Sequence, residues 1–259
     1  MEQKFAICRV AISPVRVTAS DKAEISTQLF FGDAVEILEQ AGPWWYIRNA
    51  YDGYEGWADF KQLTVVTEEV WQEYLNFTVL VPLEVTNTIS AEDGSHYYLP
   101  AGSSLPKFAQ SMCRLGAQQF KVLFNPHTVV PASSETIIKS AMFYLNAPYM
   151  WGGRTIFGID CSGFSQTVYK LSGIPIKRDA SQQAEQGTTV NFLPEVQPGD
   201  LAFFDNAEGR IVHVGIMLNS SQIIHASGRV RIDPIDNQGI YNHELGRYTH
   251  QLRIIKRFL

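Results

Sequence analysis

The chain has 259 residues, of which 18% are charged and 45% hydrophobic, and its formal net charge is -5. This length is sufficient for more than one domain with its own core, and the absence of a dense Lys/Arg patch disfavours nucleic acid as a partner. The N-terminal stretch MEQKFAICRVAISPVRV alternates like a β-strand, so we expect neither a signal peptide nor a membrane span. Three cysteines without a close pair, Cys8, Cys113 and Cys161, favour a reducing compartment, and we expect a cytoplasmic protein.

The first half of the chain reads as short strands separated by Gly, Pro and Asp turn signals. One set comprises AISPVRVTAS, AVEILEQ, WWYIRNA, YEGWADF and QLTVV, and a second comprises TVLVPLEVTNT, YYLPAGSSLPKFA and QQFKVLF. The stretch TEEVWQEYL between them is a helical turn or a linker. Each set has the length of one small barrel, which predicts two tandem β-barrels over residues 1–66 and 67–128.

Helices appear after residue 128 and are followed by strands. Ser133 or Ser134 is expected to cap a helix that ends before Pro148 and carries the apolar residues Ile137, Ile138, Ala141, Met142 and Leu145. An amphipathic helix begins at Cys161, the IPIKRDASQQAEQG stretch forms a loop, and PGDLAFF, RIVHVGIML and SQIIHASG are three successive strands. This order predicts an α+β domain over residues 129–259, with helices packed on an antiparallel sheet.

Cys161 is the first candidate for chemistry. Asp160 is a favoured N-cap type and Gly173 is a natural stop, so Cys161 falls at the first helical position. The free backbone N–H groups and the helix dipole favour an anion there, which predicts a lowered thiol pKa and a nucleophilic thiolate. From this stretch alone, a small buried hydrophobic residue remains an equal alternative.

Two histidines supply what a thiol nucleophile needs. His213 alternates with apolar neighbours that should face the core, and a turn near 219–221 folds His225 opposite His213 or one residue away from it. One ring can act as the base and the other can orient it. A zinc site on Cys161 and both histidines has no motif for a fourth ligand, so we expect no metal and no cofactor. We interpret the remaining histidines as surface residues, namely His96, His127, His243 and His250. Cys8 and Cys113 are interpreted as structural residues.

The motifs of the second half resemble those of the NlpC-type papain-like cysteine peptidases, which cleave bacterial cell-wall peptides. The matching stretches, in family order, are PYMWGGRTIFGIDCSGFSQTVYK, IKRDASQQAEQG, VQPGDLAFF, HVGIML and IIHASG. The first half is similar to bacterial SH3-like modules, most clearly in GDAVEILEQAGPWWYIRNAYDGYEGWADFKQL. The combination is similar to peptidases that cleave the γ-D-glutamyl-diamino acid bond of murein peptides during recycling.

The resemblance implies roles for individual residues. Cys161 matches the nucleophile, His213 the general base and His225 the third member that orients the base. Hydrolysis through a thioester would follow, with the oxyanion held by the backbone N–H of Cys161 and by the Tyr149 hydroxyl. Further positions match the family's substrate groove: Asp160, Ser162 and Ser181.

The resemblance also implies a preference for peptides with a free N-terminal L-alanine. The first module of such enzymes closes one end of the groove, and a carboxylate must meet the buried ammonium group there. Glu24 and Tyr54 match the positions that serve this role, and Asp160 can supply a second anion. The expected partner is thus L-Ala-γ-D-Glu-diamino acid, with diaminopimelate or L-lysine as the third residue, and the expected enzyme is a monomer.

Three other functions compete with this one. A wall-remodelling hydrolase would act on intact sacculi, and an amidase or acyltransferase would keep the Cys and His on the same scaffold. Amidases usually have Glu, Asp or Asn as the third member, which the His in IIHASG disfavours. A non-catalytic wall-binding protein would not need the intact set of Cys161, His213 and His225.

Overall fold

The computed structural model describes residues 4–75, 78–129 and 131–259. The chain divides into two compact units, Met1–Val129 and Val130–Leu259. The alternating N-terminal stretch forms a strand from Phe5, whereas residues 1–3 lie outside the described residues. Within the described ranges, no helix combines the length and the hydropathy needed to cross a membrane.

The first module is an antiparallel sheet in the spatial order β3-β2-β6-β5-β4-β1-β7. Its strands are β1 (Phe5–Cys8), β2 (Ile12–Arg16), β3 (Ile25–Phe30), β4 (Ala34–Ala41), β5 (Trp44–Asn49), β6 (Glu55–Asp59) and β7 (Leu63–Val66). A 3-10 turn at Phe60–Gln62 connects β6 to β7. Alternate residues point inward, so Ala6, Val15, Val35, Trp45 and Ile47 form a buried core.

The second module begins with a short helix, α1 (Glu68–Glu73), which Thr67 caps. Its strands are β8 (Val79–Leu80), β9 (Asn87–Ala91), β10 (His96–Leu99), β11 (Met112–Leu115), β12 (Gln118–Val122) and β13 (His127–Thr128). They form a four-stranded sheet, β10-β9-β12-β11, and the pair β13-β8. Phe120 and Trp71 share one core with Ile7 and Phe31 of the first module. The expected border after residue 66 therefore lies inside one compact unit.

The second unit places helices before an antiparallel sheet, as the sequence predicts. The helices are α2 (Ser134–Phe143), α3 (Cys161–Leu171) and α4 (Ala180–Gln183). The strands are β14 (Arg154–Thr155), β15 (Gly158–Ile159), β16 (Thr188–Val190), β17 (Leu201–Asp205), β18 (Ile211–Asn219), β19 (Gln222–Ser227), β20 (Arg229–Pro234), β21 (Gly239–Asn242) and β22 (Arg247–Arg257). The main sheet runs β16-β22-β17-β18-β19-β20, β21 pairs with β22, and a 3-10 turn lies at Leu193–Glu195.

Four local predictions for the second unit need correction or refinement. Ser133, not Ser134, caps α2, and the helix ends at Phe143, before Leu145. Helix α3 is amphipathic, as predicted, but all of its residues are buried, the polar ones included. Residues Ala180–Gln183 form the short helix α4 inside the stretch that was expected to be a loop. The centre of strand β18 is buried on both faces, because the strand is central in the sheet and is covered on both sides. Val212, near the start of the strand, is exposed.

Candidate active site

The turn before α3 explains the glycines that surround Cys161. The Asp160 carboxylate caps the helix, since its Oδ1 accepts from Gly163 N at 2.6 Å and its Oδ2 accepts from Gly152 N at 2.8 Å. A Cβ atom on Gly163 would lie 2.4 Å from the carbonyl oxygen of Gly153. The close approach of these two backbone segments therefore requires glycine at position 163 and fixes the start of the helix.

Cys161 lies at the first position of α3, as predicted, and is buried. Helix α3 packs against β18, the strand that carries His213, and the backbone N–H groups of Val214 and Ser162 favour the thiolate form of Cys161. Burial, followed by the charge of Asp160, raises the pKa of the thiol to about 12. The expected lowering is wrong, because the thiol is removed from water and adjoins a carboxylate. In the resting site Cys161 is a neutral thiol that needs a base.

His213 and His225 are neighbours, as the hairpin argument predicts. Nε2 of His213 lies 2.9 Å from Nδ1 of His225, and both rings are buried. The register differs from the expected one, since His225 lies opposite Gly215, two residues from His213. An irregularity between Met217 and Asn219 shifts the pairing. A Cβ atom at position 215 would lie 2.8 Å from the Cβ of His225, so glycine there accommodates the second ring.

The histidine pair continues into a chain of charged groups. Nε2 of His225 lies 3.0 Å from Oδ2 of Asp233. The Arg231 Nε lies 2.7 Å from the same oxygen, and its Nη2 donates to Oδ1 at 2.9 Å. Although burial opposes ionisation, these partners lower the pKa of Asp233. Burial, against the influence of Asp233, lowers the pKa of His225. A carboxylate and a neutral imidazole therefore meet at this contact.

His250 is not the surface residue that the sequence predicted. It lies on β22, and its ring stacks on that of His213 with centroids 4.1 Å apart and an interplanar angle of 27°. Burial, followed by the charge of His225, lowers the pKa of His250 to about 4. Burial likewise holds the pKa of His213 well below its usual range. His96 and His243 are exposed and His127 is half-buried.

The three histidines bring their ligand atoms within 4.8 Å of one another. The rings of His213 and His250 are stacked in nearly parallel planes. Both nitrogens of His225 already face hydrogen-bond partners. The arrangement fits a hydrogen-bonded chain better than a metal centre. The absence of a metal stays a prediction.

Tyr149 and the two serines lie at different places around the nucleophile. The backbone of Tyr149 pairs with Ile159, just before the cap, and burial followed by the charge of Cys161 raises the pKa of its phenol to about 12. The phenol is therefore a hydrogen-bond donor at neutral pH. Ser162 is buried and its hydroxyl accepts from Arg178 at 2.8 Å. Ser181 is exposed on α4.

Glu24 and Tyr54 belong to the first unit. Glu24 directly precedes β3 and is exposed, and Tyr54 directly precedes β6 and is half-buried. Both strands pair with the end of β2, where Arg16 lies opposite Ile25 on one side and Trp57 on the other. The starts of β3 and β6 thus lie at the same end of the sheet, and Glu24 and Tyr54 directly precede these starts.

Comparisons with known proteins agree with this architecture. A model described as the NlpC/P60 family matches residues 146–248, and a model described as the bacterial dipeptidyl-peptidase SH3 domain matches residues 15–63. Gamma-D-glutamyl-L-lysine dipeptidyl-peptidase of Bacillus subtilis (strain 168) is 30% identical over 221 residues, 78% of this chain and 72% of the relative. The chain belongs to the NlpC/P60 family.

Other comparisons extend over still more of the chain. The protein of the same name in Bacillus cereus (strain ATCC 10987 / NRS 248) is 29% identical over 256 residues, 86% of this chain and 74% of the relative. A crystal structure of an NlpC/P60 family protein from Bacillus cereus ATCC 10987 superposes with a TM-score of 0.81 at 22% identity, covers 98% of this chain and 99% of that one, and shows the fold. The chain is an NlpC/P60 cysteine peptidase with an N-terminal SH3 domain, and its activity is related to peptidoglycan.

Sequence analysis missed three residues of this NlpC/P60 site. Arg178 precedes the predicted Ser181 by three residues, and its guanidinium reaches back to Asp160. Asp233 lies on the strand after His225, where continuing the hairpin pairing beyond Gly228 would have placed it near the ring. His250 gave no local signal, since β22 lies two strands away from β18 in the sheet order.

Proposed function

We propose that Cys161 is the nucleophile of this peptidase, that His213 is its general base and that His225 orients the base. The observation that carries this proposal is the packing of α3, which begins at Cys161, against β18, whose His213 ring already faces His225 through Nε2. His213 thereby retains Nδ1 as the nitrogen that can take the thiol proton.

The mechanism follows from the neutral resting state. The thiol proton passes to Nδ1 of His213 as the sulfur attacks the carbonyl carbon, and the imidazolium then protonates the leaving amine. Water hydrolyses the resulting thioester after giving a proton to the same nitrogen. The Cys161 backbone N–H at the helix start and the Tyr149 phenol are the donors that we assign to the oxyanion.

We infer that the scissile bond joins γ-D-glutamate to the diamino acid of a murein peptide with a free N-terminal L-alanine. The names of the two Bacillus relatives support this bond and an L-lysine at the third position. Glu24 and Tyr54 remain the candidates for recognising the ammonium group, which a carboxylate would neutralise. Because Asp160 is paired with Arg178, Glu24 is the better source of that charge.

A recycling role in the cytoplasm is part of the same proposal. A peptide bearing N-acetylmuramic acid on its alanine has no free ammonium group, so the enzyme would act only on fragments already released from glycan. A wall-remodelling hydrolase would instead require access to intact sacculi.

The test is an incubation with L-Ala-γ-D-Glu-L-Lys and its diaminopimelate counterpart, with products identified by mass spectrometry. We expect L-Ala-D-Glu and the free diamino acid from both substrates, and no product with Cys161→Ala. N-acetylating the alanine should lower kcat/KM by about tenfold to a hundredfold, because a charge-assisted contact contributes about 1.5–3 kcal/mol. Glu24→Gln should lower cleavage of the free peptide by less.

Two outcomes would contradict the proposal. Activity of Cys161→Ala near that of the parent would refute the mechanism. Digestion of intact sacculi as efficient as that of the free tripeptide would refute the recycling role and favour the wall-remodelling alternative.

A further inference from the structure

Asp233 is the one carboxylate among the described residues whose contact with the histidine pair is a direct hydrogen bond. Its Oδ2 lies 3.0 Å from Nε2 of His225, and its side chain is buried. An ionised carboxylate only accepts hydrogen bonds. The hydrogen at this contact therefore belongs to Nε2 of His225.

This assignment propagates to the next ring. A neutral imidazole carries one N–H, so with its hydrogen on Nε2, His225 presents a lone pair at Nδ1. That lone pair faces Nε2 of His213 at 2.9 Å, so His213 must donate from Nε2. Its only other nitrogen, Nδ1, is then unprotonated and able to accept the proton of the thiol.

We propose that Asp233 is a positioning residue that sets the tautomer of the base through His225. The inference rests on the proposed function, in which Nδ1 of His213 receives the Cys161 proton. With the opposite tautomers, His225 would donate from Nδ1, His213 would accept at Nε2, and Nδ1 of His213 would carry a hydrogen and could not act as a base.

The surrounding ions keep Asp233 in the accepting state. Arg231 contacts both of its oxygens, and Nη1 of Arg231 also donates to Oε2 of Glu244 at 2.9 Å. The Arg231 guanidinium, exposed over only 12% of its side chain, thus links the buried carboxylate to an exposed one. The proton transfer itself involves no change at Asp233, since the proton moves from Sγ to Nδ1 and Nε2 keeps its hydrogen throughout.

The experiment measures tautomers and kinetics on the full chain. Nitrogen-15 NMR of histidine-labelled protein at pH 7.5 should show the hydrogen on Nε2 of both His213 and His225. In Asp233→Ala, His225 loses its fixed acceptor, so the Nδ1–H form of His213 should appear and kcat should fall by about tenfold to a hundredfold with KM changed less than threefold. The matched control is Asp236→Ala, an exposed aspartate three residues further on, which should match the parent in both measurements.

Several results would overturn the inference. One is an Nδ1–H tautomer of His213 in the parent protein. This measurement does not need the variant, so it tests the inference even if Asp233→Ala fails to fold. Another is a folded Asp233→Ala with kcat within threefold of the parent, and a third is a loss of kcat with parental tautomers, which would mark a structural role. If the parent does not cleave the tripeptide, the proposed function fails. The tautomer measurement still tests whether Asp233 sets the tautomer of His213 through His225.

Discussion

The guanidinium of Arg178 binds both carboxylate oxygens of Asp160, the residue directly before Cys161. Nη1 donates to Oδ1 at 3.0 Å and Nη2 to Oδ2 at 2.6 Å, and the exposed fractions of the two side chains are 1% and 6%. The same carboxylate caps α3 through Gly163. One buried ion pair therefore fixes the helix start that carries the nucleophile.

Arg178→Met should destabilise the protein strongly. It leaves the Asp160 carboxylate buried without its counter-ion, and breaking a buried pair in this way costs about 3–5 kcal/mol. The free energy of unfolding in urea measures the loss. Arg253→Met is the control, since its Nε lies 3.8 Å from Asp205 and 66% of its side chain is exposed, so we expect a change below about 1 kcal/mol. A loss at position 178 no larger than at position 253 would contradict the assigned role.

The buried thiols should make stability fall at alkaline pH. Burial raises the pKa of Cys161 to about 12, whereas an unfolded cysteine titrates near pH 8.5. Above pH 9 the unfolded chain loses this proton first and binds fewer protons than the folded one, so the free energy of unfolding falls by up to about 1.4 kcal/mol per pH unit per thiol. Cys161→Ala should show a shallower decline between pH 9 and 10.5.

Cys113→Ala is the matched comparison for that measurement. Burial raises the pKa of Cys113 to about 12 as well, so removing either thiol should reduce the alkaline slope by a similar amount. A slope in Cys161→Ala identical to that of the parent would mean that the Cys161 pKa is not raised in the folded state.

Replacing His213 should lower activity more than replacing His225. His213→Ala removes the base and should lower kcat by about 10²–10⁴-fold, while His225→Ala should lower it less, because the base remains. The double variant should resemble His213→Ala alone, since His225 acts through His213. Steady-state kinetics on L-Ala-γ-D-Glu-L-Lys gives the comparison. If the two losses of kcat added fully in the double variant, the conclusion that His225 acts through His213 would be contradicted.

His250 should contribute to a loss of stability on the acid side. Its pKa is lowered to about 4, chiefly by burial, whereas an unfolded histidine titrates near 6.5. As pH falls from 6.5 towards 4, the unfolded chain binds a proton that the folded chain does not, so stability falls by up to about 1.4 kcal/mol per pH unit. His250→Phe retains an aromatic ring against His213 and should flatten this slope. An unchanged acid slope would refute the prediction.

Local patterns predicted the elements that position the site. Asp160 caps α3, Cys161 opens it, and the RIVHVGIML and SQIIHASG stretches pair as neighbouring strands. These features depend on capping chemistry and on strand alternation, which involve residues close in sequence. The order of helices and strands likewise predicted the α+β class of the second unit.

The register and the electrostatics of the site were beyond the sequence. An irregularity between Met217 and Asn219 moved His225 opposite Gly215, and a turn of unknown geometry does not reveal such a shift. The thiol pKa was predicted in the wrong direction, because a helix start favours an anion only where water or a cation compensates for burial, and here Arg178 is already paired with Asp160.

The sequence by itself determined that Cys161 begins a helix and that His213 and His225 share one face of a hairpin, because both follow from contacts between near neighbours in the chain. Only the tertiary structure decided that Arg178 neutralises Asp160 and that His250 stacks on His213. Each of these contacts joins side chains from different elements. These contacts depend on how the strands pair and how the helices pack. The spacing of residues along one element therefore does not predict them.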